Sequence, residues 1–173
     1  SQLTKKKVVY NFRKNDLKNG GQGAPLTPIF HQNLVRNIDF DWWPVVVINI
    51  GGISNVTTIE RQSYSCREGK IYAYDIGPGN CLIDEWIRKN SKNKYDKEGF
   101  IARSGLSDVL TLNQAYENFN MNYRYETSLD IKDFDIFFAK GLSLENGAAT
   151  ITDFTARLIA DGIKFIHNKN QQH

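Results

Sequence analysis

The chain has 173 residues, of which 40% are hydrophobic and 24% charged, and its formal net charge is +3. This composition suits one folded domain or parts of two, and is too apolar for an intrinsically disordered protein. The small basic excess is partly concentrated in three lysines at residues 5–7, a pattern typical of a solvated terminus. Because no basic stripe follows, the sequence predicts no nucleic-acid partner.

Short motifs argue against a membrane or a metal role. The strongest apolar run, at residues 45–50, is far shorter than the roughly 20 residues that cross a bilayer. The polar first residues do not resemble a signal peptide. Cys66 and Cys81 have neither the paired spacing nor the flanking histidines of a zinc site. We therefore expect a cytoplasmic protein with reduced thiols, no membrane partner and no metal ligands.

The N-terminal quarter predicts a strand, a loop and a short helix. Residues 8–12 contain two valines and two aromatic residues, which favours a strand. Residues 19–25 contain three glycines and a proline, which predicts a loop. Thr27 and Pro28 suit the start of a helix that continues to about Val35. Residues 37–44 form a connector, so we predict that residues 1–43 end one domain and residues 44–173 begin a second.

Three strands with glycine turns are predicted next. Residues 45–50 form a nearly continuous β-branched run, which is typical of a strand buried on both faces. Gly51 and Gly52 break this run before a second strand at residues 53–59. A third strand at residues 70–75 ends on Asp75 and is followed by a Gly-Pro-Gly-Asn turn. The arrangement predicts a strand–glycine turn–strand unit with a third strand beside it.

The rest of the chain is predicted to be mainly helical. Asn80 can cap a helix that buries apolar residues at helical spacing, namely Leu82, Ile83, Trp86 and Ile87. Residues 96–103 and 107–119 are further helix candidates, and residues 120–135 look irregular. A long helix from residue 146 or 147 to residue 166 has a stripe predicted to be buried: Ala148, Ile151, Phe154, Thr155, Leu158, Ile159 and Ile163. Strands interleaved with helices predict an α/β protein.

Glycine loops at residues 20–23, 51–52 and 77–79 are candidate anion sites. Glycine permits positive φ and close backbone approach, so that successive amide hydrogens can converge on a phosphate. Ligands of α/β proteins also collect at strand ends, where such loops lie. Each loop alone fits a tight structural turn equally well.

Asp75 is the candidate for catalysis. It ends an apolar strand before a stiff Gly-Pro-Gly turn, so its carboxylate is predicted to face a cleft, where it could act as a general base. The alternative is an aspartate that bonds turn amides. Asp84 fits a surface acid near a helix N-terminus. The histidines, His31, His167 and His173, are too scattered for a catalytic triad, and Trp42 with Trp43 fits a core or domain-contact pair.

Ordered strings resemble one enzyme family over nearly the whole chain. Residues 11–13 (N-F-R), 20–26 (G-G-Q-G-A-P-L) and 30–31 (F-H) are similar to the family's D-F-R, G-G-Q-G-A-P-L and P-x-F-H. Residues 48–57 (I-N-I-G-G-I-S-N-V-T) are similar to L-N-x-G-G-I-A-N-x-T, and residues 74–84 (Y-D-I-G-P-G-N-C-L-I-D) to D-T-G-P-G-N-x-L-x-D. Residues 95–97, 128–130 and 147–156 fit as well. The chain resembles the anhydro-N-acetylmuramic acid kinases.

The resemblance implies an incomplete actin-like ATPase (ribonuclease H-like) fold with parts of two domains. It implies an enzyme that uses ATP and Mg²⁺ to convert 1,6-anhydro-N-acetylmuramic acid and water into N-acetylmuramic acid 6-phosphate during peptidoglycan recycling. By match, Asp75 is the base for the water. The nucleotide side would be Gly51, Gly52, Asn55, Gly77, Gly79 and Asn80. The sugar side would be Arg13, Gly21, Gln22, Gly23 and Pro25.

The sequence also departs from the family pattern. Asn11 stands where the family has Asp, and Ile131 stands where an Arg is usual. Neither the G-T-S-x-D-G phosphate loop nor the G-G-G-x-x-N segment of the family occurs. Because phosphoryl transfer depends on a complete phosphate cradle, we expect little or no kinase activity from these residues alone. The possible partners are a second copy or a complementary chain; the alternative is a non-catalytic remnant that binds muramyl sugar or a protein.

Overall fold

The computed structural model describes residues 5–21, 23–38, 41–61, 69–119 and 128–171, with side chains as far as residue 165. Its strands are β1 (Val45–Ile50), β2 (Ile53–Ile59) and β3 (Ile71–Pro78). Its α-helices are α1 (Phe12–Lys18), α2 (Pro28–Arg36), α3 (Cys81–Asn90), α4 (Phe100–Ser104), α5 (Val109–Asn118) and α6 (Leu144–Gln171). Short 3₁₀ turns lie at Lys97–Gly99, Ile131–Asp133 and Phe137–Ala139.

The three strands form an antiparallel meander in the order β1-β2-β3. The β1–β2 hairpin closes through Gly51 and Gly52, with Ile50 opposite Ser54. Asn55 lies opposite Asp75, and a bulge between Ser54 and Asn55 shifts the β2–β3 register beyond this pair, where Ser54 lies opposite Gly77. Bulges redirect side chains locally, and this one occurs beside the candidate catalytic residue.

One face of the sheet carries the hydrophobic core. Val56 and Ile76 are fully buried there with Trp86 of α3, Leu112 of α5 and Leu158 of α6. Helix α2 contacts β2 and β3. The Nδ1 atom of its His31 lies within hydrogen-bond distance of Thr57 Oγ1, at 2.8 Å. Because side chains alternate along a strand, Thr57 lies on the opposite face from Val56. The sheet is therefore covered by α2 on one face and by α6 on the other, and α3 and α5 pack against α6.

Most of the predicted elements are confirmed with shifted ends. The hairpin and α2 lie where predicted, and α6 begins two residues earlier, at Leu144. In its predicted stripe, Ala148, Ile151, Phe154, Thr155 and Leu158 are buried and Ile159 and Ile163 partly so. Strand β3 continues through the predicted turn to Pro78, because Gly77 and Pro78 pair with Ser54 and Ile53. Asn80 precedes α3, but its side chain makes no capping hydrogen bond.

Two expectations are wrong, and a third is narrowed. Residues 8–12 form no strand; Asn11 adopts a left-handed conformation (φ 63°) and α1 begins immediately after it. Strand β1 is not buried on both faces, because Val46, Ile48 and Ile50, which share one face, are 41–54% exposed. Trp42 is 84% exposed, which excludes a core position for this residue, whereas a domain contact of Trp42 and Trp43 stays a prediction. A β-branched run predicts a strand, but it does not reveal whether other elements cover both faces of that strand.

Within the described residues, we find no helix whose length and apolar character would suit a bilayer crossing.

Candidate functional site

Asp75 lies in β3 on the face that α2 covers. The Ser128 hydroxyl and the Leu129 amide both donate to its Oδ2, at 3.2 and 2.9 Å. Its side chain is only 6% exposed, so it does not face an open cleft as the sequence suggested. The residues from Ser128 onward lie over this carboxylate, and among the described residues no hydrogen bond reaches its Oδ1.

Asn55 is the cross-strand partner of Asp75. Residues directly opposite in an antiparallel pair share a face, with Cβ atoms roughly 4.5–5.5 Å apart. The Asn55 Oδ1 is buried and has no hydrogen-bond partner among the residues that the structure describes. Asn49, opposite Asn55 on β1, extends the row. Asn49, Asn55 and Asp75 therefore form a polar row across the three strands, on the face opposite the core.

The two predicted glycine turns are docked against each other. The Gly79 amide donates to the Gly52 carbonyl at 2.9 Å, and the Asn80 amide donates to the Gly51 carbonyl at 2.7 Å. The Ser54 hydroxyl donates to the Pro78 carbonyl at 3.1 Å. A Cβ on Gly79 would overlap the Gly51 carbonyl oxygen. We call residues 51–52 and 77–80 the paired turns; only glycine at position 79 permits this approach.

This docking separates the predicted phosphate contacts into two groups. The amides of Gly79 and Asn80 are already bonded to the first turn. The amides of Gly51 and Gly52 donate to no backbone carbonyl of the described residues, while their carbonyls are held in place. Gly77 is buried, and a Cβ atom added to it would lie 3.4 Å from Cβ of Leu158 in α6. Only the first turn thus combines unbonded amides with a fixed backbone, as an anion site requires.

The paired turns also bury a thiol at the start of α3. The Cys81 amide donates to the Gly52 carbonyl at 3.3 Å. Burial raises the pKa of the Cys81 thiol above its usual value, although nearby backbone hydrogen bonds oppose this shift. A buried thiol with a raised pKa is a poor nucleophile, so Cys81 has a structural role.

The N-terminal loop depends on one carboxylate of α1. The Gly23 amide donates to Asp16 Oδ2 at 2.7 Å, and the Gly21 amide donates to the Asp16 carbonyl at 2.9 Å. A Cβ on Gly21 would overlap the Asp16 carboxylate. The Arg13 side chain lies beside Gly23, and Pro25 follows a cis peptide bond. The structure therefore brings Arg13, Gly21, Gly23 and Pro25 together; Gln22 lies outside the described residues.

A separate groove of about 890 Å³ lies between α3, α4 and α6. Asn80 and Asp84 line it together with Arg88, Lys94, Asp96 and Arg103. Asp84 pairs with Arg88 at 3.8 Å, as expected for a surface acid. Asp96 accepts the amides of Ile101 and Ala102 at 2.9 Å. The acids of this groove therefore serve the local structure. Among the described residues, no three His, Cys, Asp or Glu side chains converge as a metal site would require.

Sequence reasoning missed Ser128 and Leu129 as partners of Asp75, and Asp16 as the residue that holds the N-terminal loop. Ser128 and Asp75 are 53 positions apart, and no local pattern links them. Comparison with known proteins then decides the family: the family model for anhydro-N-acetylmuramic acid kinase matches residues 1–173. The chain belongs to the anhydro-N-acetylmuramic acid kinase family.

Curated relatives carry the same family name. An anhydro-N-acetylmuramic acid kinase of Pelagibacter ubique is 49% identical over 164 residues, covering 94% of this chain and 42% of the relative. That of Rhizorhabdus wittichii is 38% identical over 160 residues, covering 92% of this chain and 42% of the relative. That of Methylobacterium nodulans is 39% identical over 158 residues, covering 91% of this chain and 40% of the relative. The chain spans about two fifths of the length of these relatives.

Two positions that differ from the anhydro-N-acetylmuramic acid kinase pattern have clear surroundings. Asn11 holds its left-handed conformation at the N-terminus of α1, a conformation that Asn tolerates better than most residues. Ile131 is exposed, and its Cδ1 lies 3.9 Å from the position that a Gly52 side chain would occupy. An apolar side chain therefore lies beside the turn whose amides are unbonded.

Proposed function

We propose that this chain forms the sugar- and phosphate-facing part of a kinase that hydrolyses and phosphorylates 1,6-anhydro-N-acetylmuramic acid. Family membership over the whole chain supports the reaction class. The observation that carries the proposal is local. Residues 129–131 lie next to both the Asp75 carboxylate and the first of the paired turns. Leu129 donates to Asp75, and Ile131 lies beside Gly52.

The proposed reaction requires a base, and we assign this role to Asp75. Asp75 takes a proton from water as the water oxygen bonds to the anomeric carbon. The bond between that carbon and the bridging 6-oxygen breaks, and the 6-oxygen bonds to the γ-phosphorus of ATP as ADP leaves. General-base assistance of this kind is typically worth a factor of about 10²–10⁴ in rate.

The nucleotide side fits the first of the paired turns. Gly51 and Gly52 present amides that are unbonded among the described residues, and their carbonyls are fixed by Gly79 and Asn80. ATP supplies the phosphoryl group, and Mg²⁺ neutralises charge on the phosphates in kinases of this kind. We assign phosphate contact to Gly51 and Gly52, and a supporting role to Gly77, Gly79 and Asn80.

The wider setting is part of the same proposal. The three-stranded meander would belong to an actin-like domain that starts near residue 44, and residues 1–43 would end the preceding domain. Arg13 and the loop around Gly21 and Gly23 would contact the sugar, because α2, which follows this loop, covers the Asp75 face. We place the enzyme in the cytoplasm, as a homodimer or with a complementary chain.

Turnover by a hybrid enzyme tests the function. In this hybrid, the present chain replaces the matching segment of the Pelagibacter ubique relative, to which it is 49% identical. We expect ADP release that requires the anhydro-sugar, and incorporation of ¹⁸O from labelled water at the anomeric position. Asp75→Asn should lower kcat at least about 100-fold. The 173 residues alone should show little turnover, because they span 42% of that relative.

A matched control separates loss of the base from loss of fold. Asp153→Asn changes a half-buried aspartate on α6, which pairs with Arg157 at 3.4 Å, and should leave kcat unchanged. If Asp75→Asn retains full turnover, Asp75 is not the base. If the hybrid binds muramyl sugar without turnover, the non-catalytic alternative is favoured.

A further inference from the structure

We propose that Ser128 is a positioning residue for Asp75, which selects the carboxylate oxygen that takes the proton from water. This inference rests on the proposed function. Both donors from residues 128 and 129 bond the same oxygen, Oδ2, at 3.2 and 2.9 Å. Oδ1 accepts nothing from the described residues, so it keeps its lone pairs for a proton.

The contacts of Ser128 and Leu129 have different consequences. Leu129 donates through its backbone, which fixes the distance between this segment and β3. Ser128 donates through a side-chain hydroxyl, so it restricts the rotation of the Asp75 carboxylate about the Cβ–Cγ bond. A terminal carboxylate torsion is broad and weakly restrained by itself. Two donors on one oxygen restrict that rotation and direct the other oxygen.

The direction of Oδ1 matters because of Asn55. Asn55 lies opposite Asp75, and its buried Oδ1 is an acceptor that receives no hydrogen bond from the described part of the chain. Buried acceptors of this kind are nearly always satisfied. A water molecule has two hydrogens, and it can give one to Asn55 Oδ1 and the other to Asp75 Oδ1. The nucleophile would then be oriented by the polar row, while Ser128 holds Asp75 in the matching rotamer.

This arrangement gives Asn55 a different role from the phosphate contact that the family resemblance implied. Asn55 follows the bulge that shifts the register between β2 and β3. The pairing of Asn55 with Asp75 continues the register of Val56 with Tyr74, and the shift begins only at Ser54. The unpartnered atom is the amide oxygen, which can accept a hydrogen bond from water, whereas a phosphate contact would use the amide nitrogen.

Kinetics of the hybrid enzyme test the proposal. Ser128→Ala should lower kcat about threefold to tenfold and leave KM for ATP and for the sugar within about twofold, since one hydrogen bond to a charged group is lost. Ser128→Thr keeps the hydroxyl and should restore most of kcat. Ser128→Ala should add almost nothing in the Asp75→Asn background. A purely structural role predicts instead additive losses and no selective rescue by threonine.

Substitution of Asn55 provides a second, independent test of the proposal. Asn55→Ala should lower kcat without raising KM for ATP; a raised KM for ATP would assign Asn55 to the phosphates and overturn the water-orienting part. The contact itself is checked in the present chain by hydrogen exchange, where the Leu129 amide should exchange at least about fivefold faster in Asp75→Ala.

The two proposals fail in different ways. If Asp75→Asn is fully active, the proposed base is wrong. If Asp75→Asn is inactive but Ser128→Ala matches the parent in kcat, the base stands and the positioning role of Ser128 is overturned.

Discussion

The N-terminal loop and the paired turns are both glycine-rich, but they are held in different ways. The loop at residues 20–25 is held by Asp16 of α1, and α1 buries none of its residues. The paired turns are joined by backbone hydrogen bonds and continue into β3 and α3, which pack on the core. Glycine content alone therefore says little about rigidity; what the loop amides bond to decides it.

The largest effect is expected from Gly79→Ala. The added methyl group would overlap the Gly51 carbonyl, so the paired turns must separate and the free energy of unfolding should fall by about 2–3 kcal/mol. Urea denaturation measures this change. Gly52→Ala is the matched control: its methyl group has open space, with the nearest atom at 3.9 Å, and should change stability by less than about 0.5 kcal/mol. Equal effects of the two substitutions would contradict the docking.

Cys81 reports whether the paired turns stay closed. In a Cys66→Ser background, the Cys81 thiol should react with a disulfide reagent at pH 8 at least about tenfold more slowly in the native protein than in urea. Burial and a raised pKa both reduce its thiolate fraction. Gly79→Ala should remove most of this protection. Fast reaction of the native parent would show that the turns open readily.

Asp16→Ala should loosen the N-terminal loop with little change elsewhere. The Gly23 amide loses its acceptor, so its hydrogen exchange should accelerate about fivefold to tenfold. Asp16→Asn retains an acceptor oxygen and serves as the control. Global stability should hardly change, because α1 has no buried residues. A large drop in global stability would mean that the loop is as firmly built as the paired turns.

The smallest effect concerns Asp108, a carboxylate that holds an amide as Asp16 does. Asp108 accepts the Thr111 amide at 2.8 Å at the start of α5, and this bond lowers the pKa of Asp108 below 3.8. A lowered pKa in the folded state stabilises the protein above the unfolded pKa, and this contribution is lost as pH falls through the folded value.

Stability measured from pH 6 down to pH 3 checks the Asp108 effect. Asp108→Asn keeps a capping oxygen and should reduce the loss of stability over this interval, by a small amount because the group is exposed. If Asp108→Asn leaves the pH dependence of stability unchanged, the Asp108 carboxylate does not contribute to that dependence.

The sequence predicted those elements whose signal is local. The stripe of α6 repeats at helical spacing, and the hairpin is marked by Gly51 and Gly52 between two β-rich runs. The strand at residues 8–12 was wrongly predicted because composition does not reveal the left-handed Asn11. The exposure of β1 could not be predicted either, because an edge strand and a central strand can have the same composition.

The site was predicted less completely than the fold, because its contacts join distant positions. Asp75, Gly51 and Gly79 could be chosen from motifs. The contact of Ser128 with Asp75 spans 53 positions, and the position of Asn55 opposite Asp75 depends on the register of β2 against β3. The docking that leaves Gly51 rather than Gly79 with an unbonded amide is a tertiary result. The roles of these residues stay predictions until the variants are measured.

The contact between Gly51 and Asn80 has a mechanical consequence. Because the hairpin tip and the end of β3 are tied by short hydrogen bonds, a force on residues 51–52 is transmitted along β3 to Asp75. An anion that pulls on the hairpin tip would thus displace the carboxylate five positions before Asn80. In the proposed mechanism, binding of the nucleotide phosphates would thereby shift the carboxylate that is proposed to activate water.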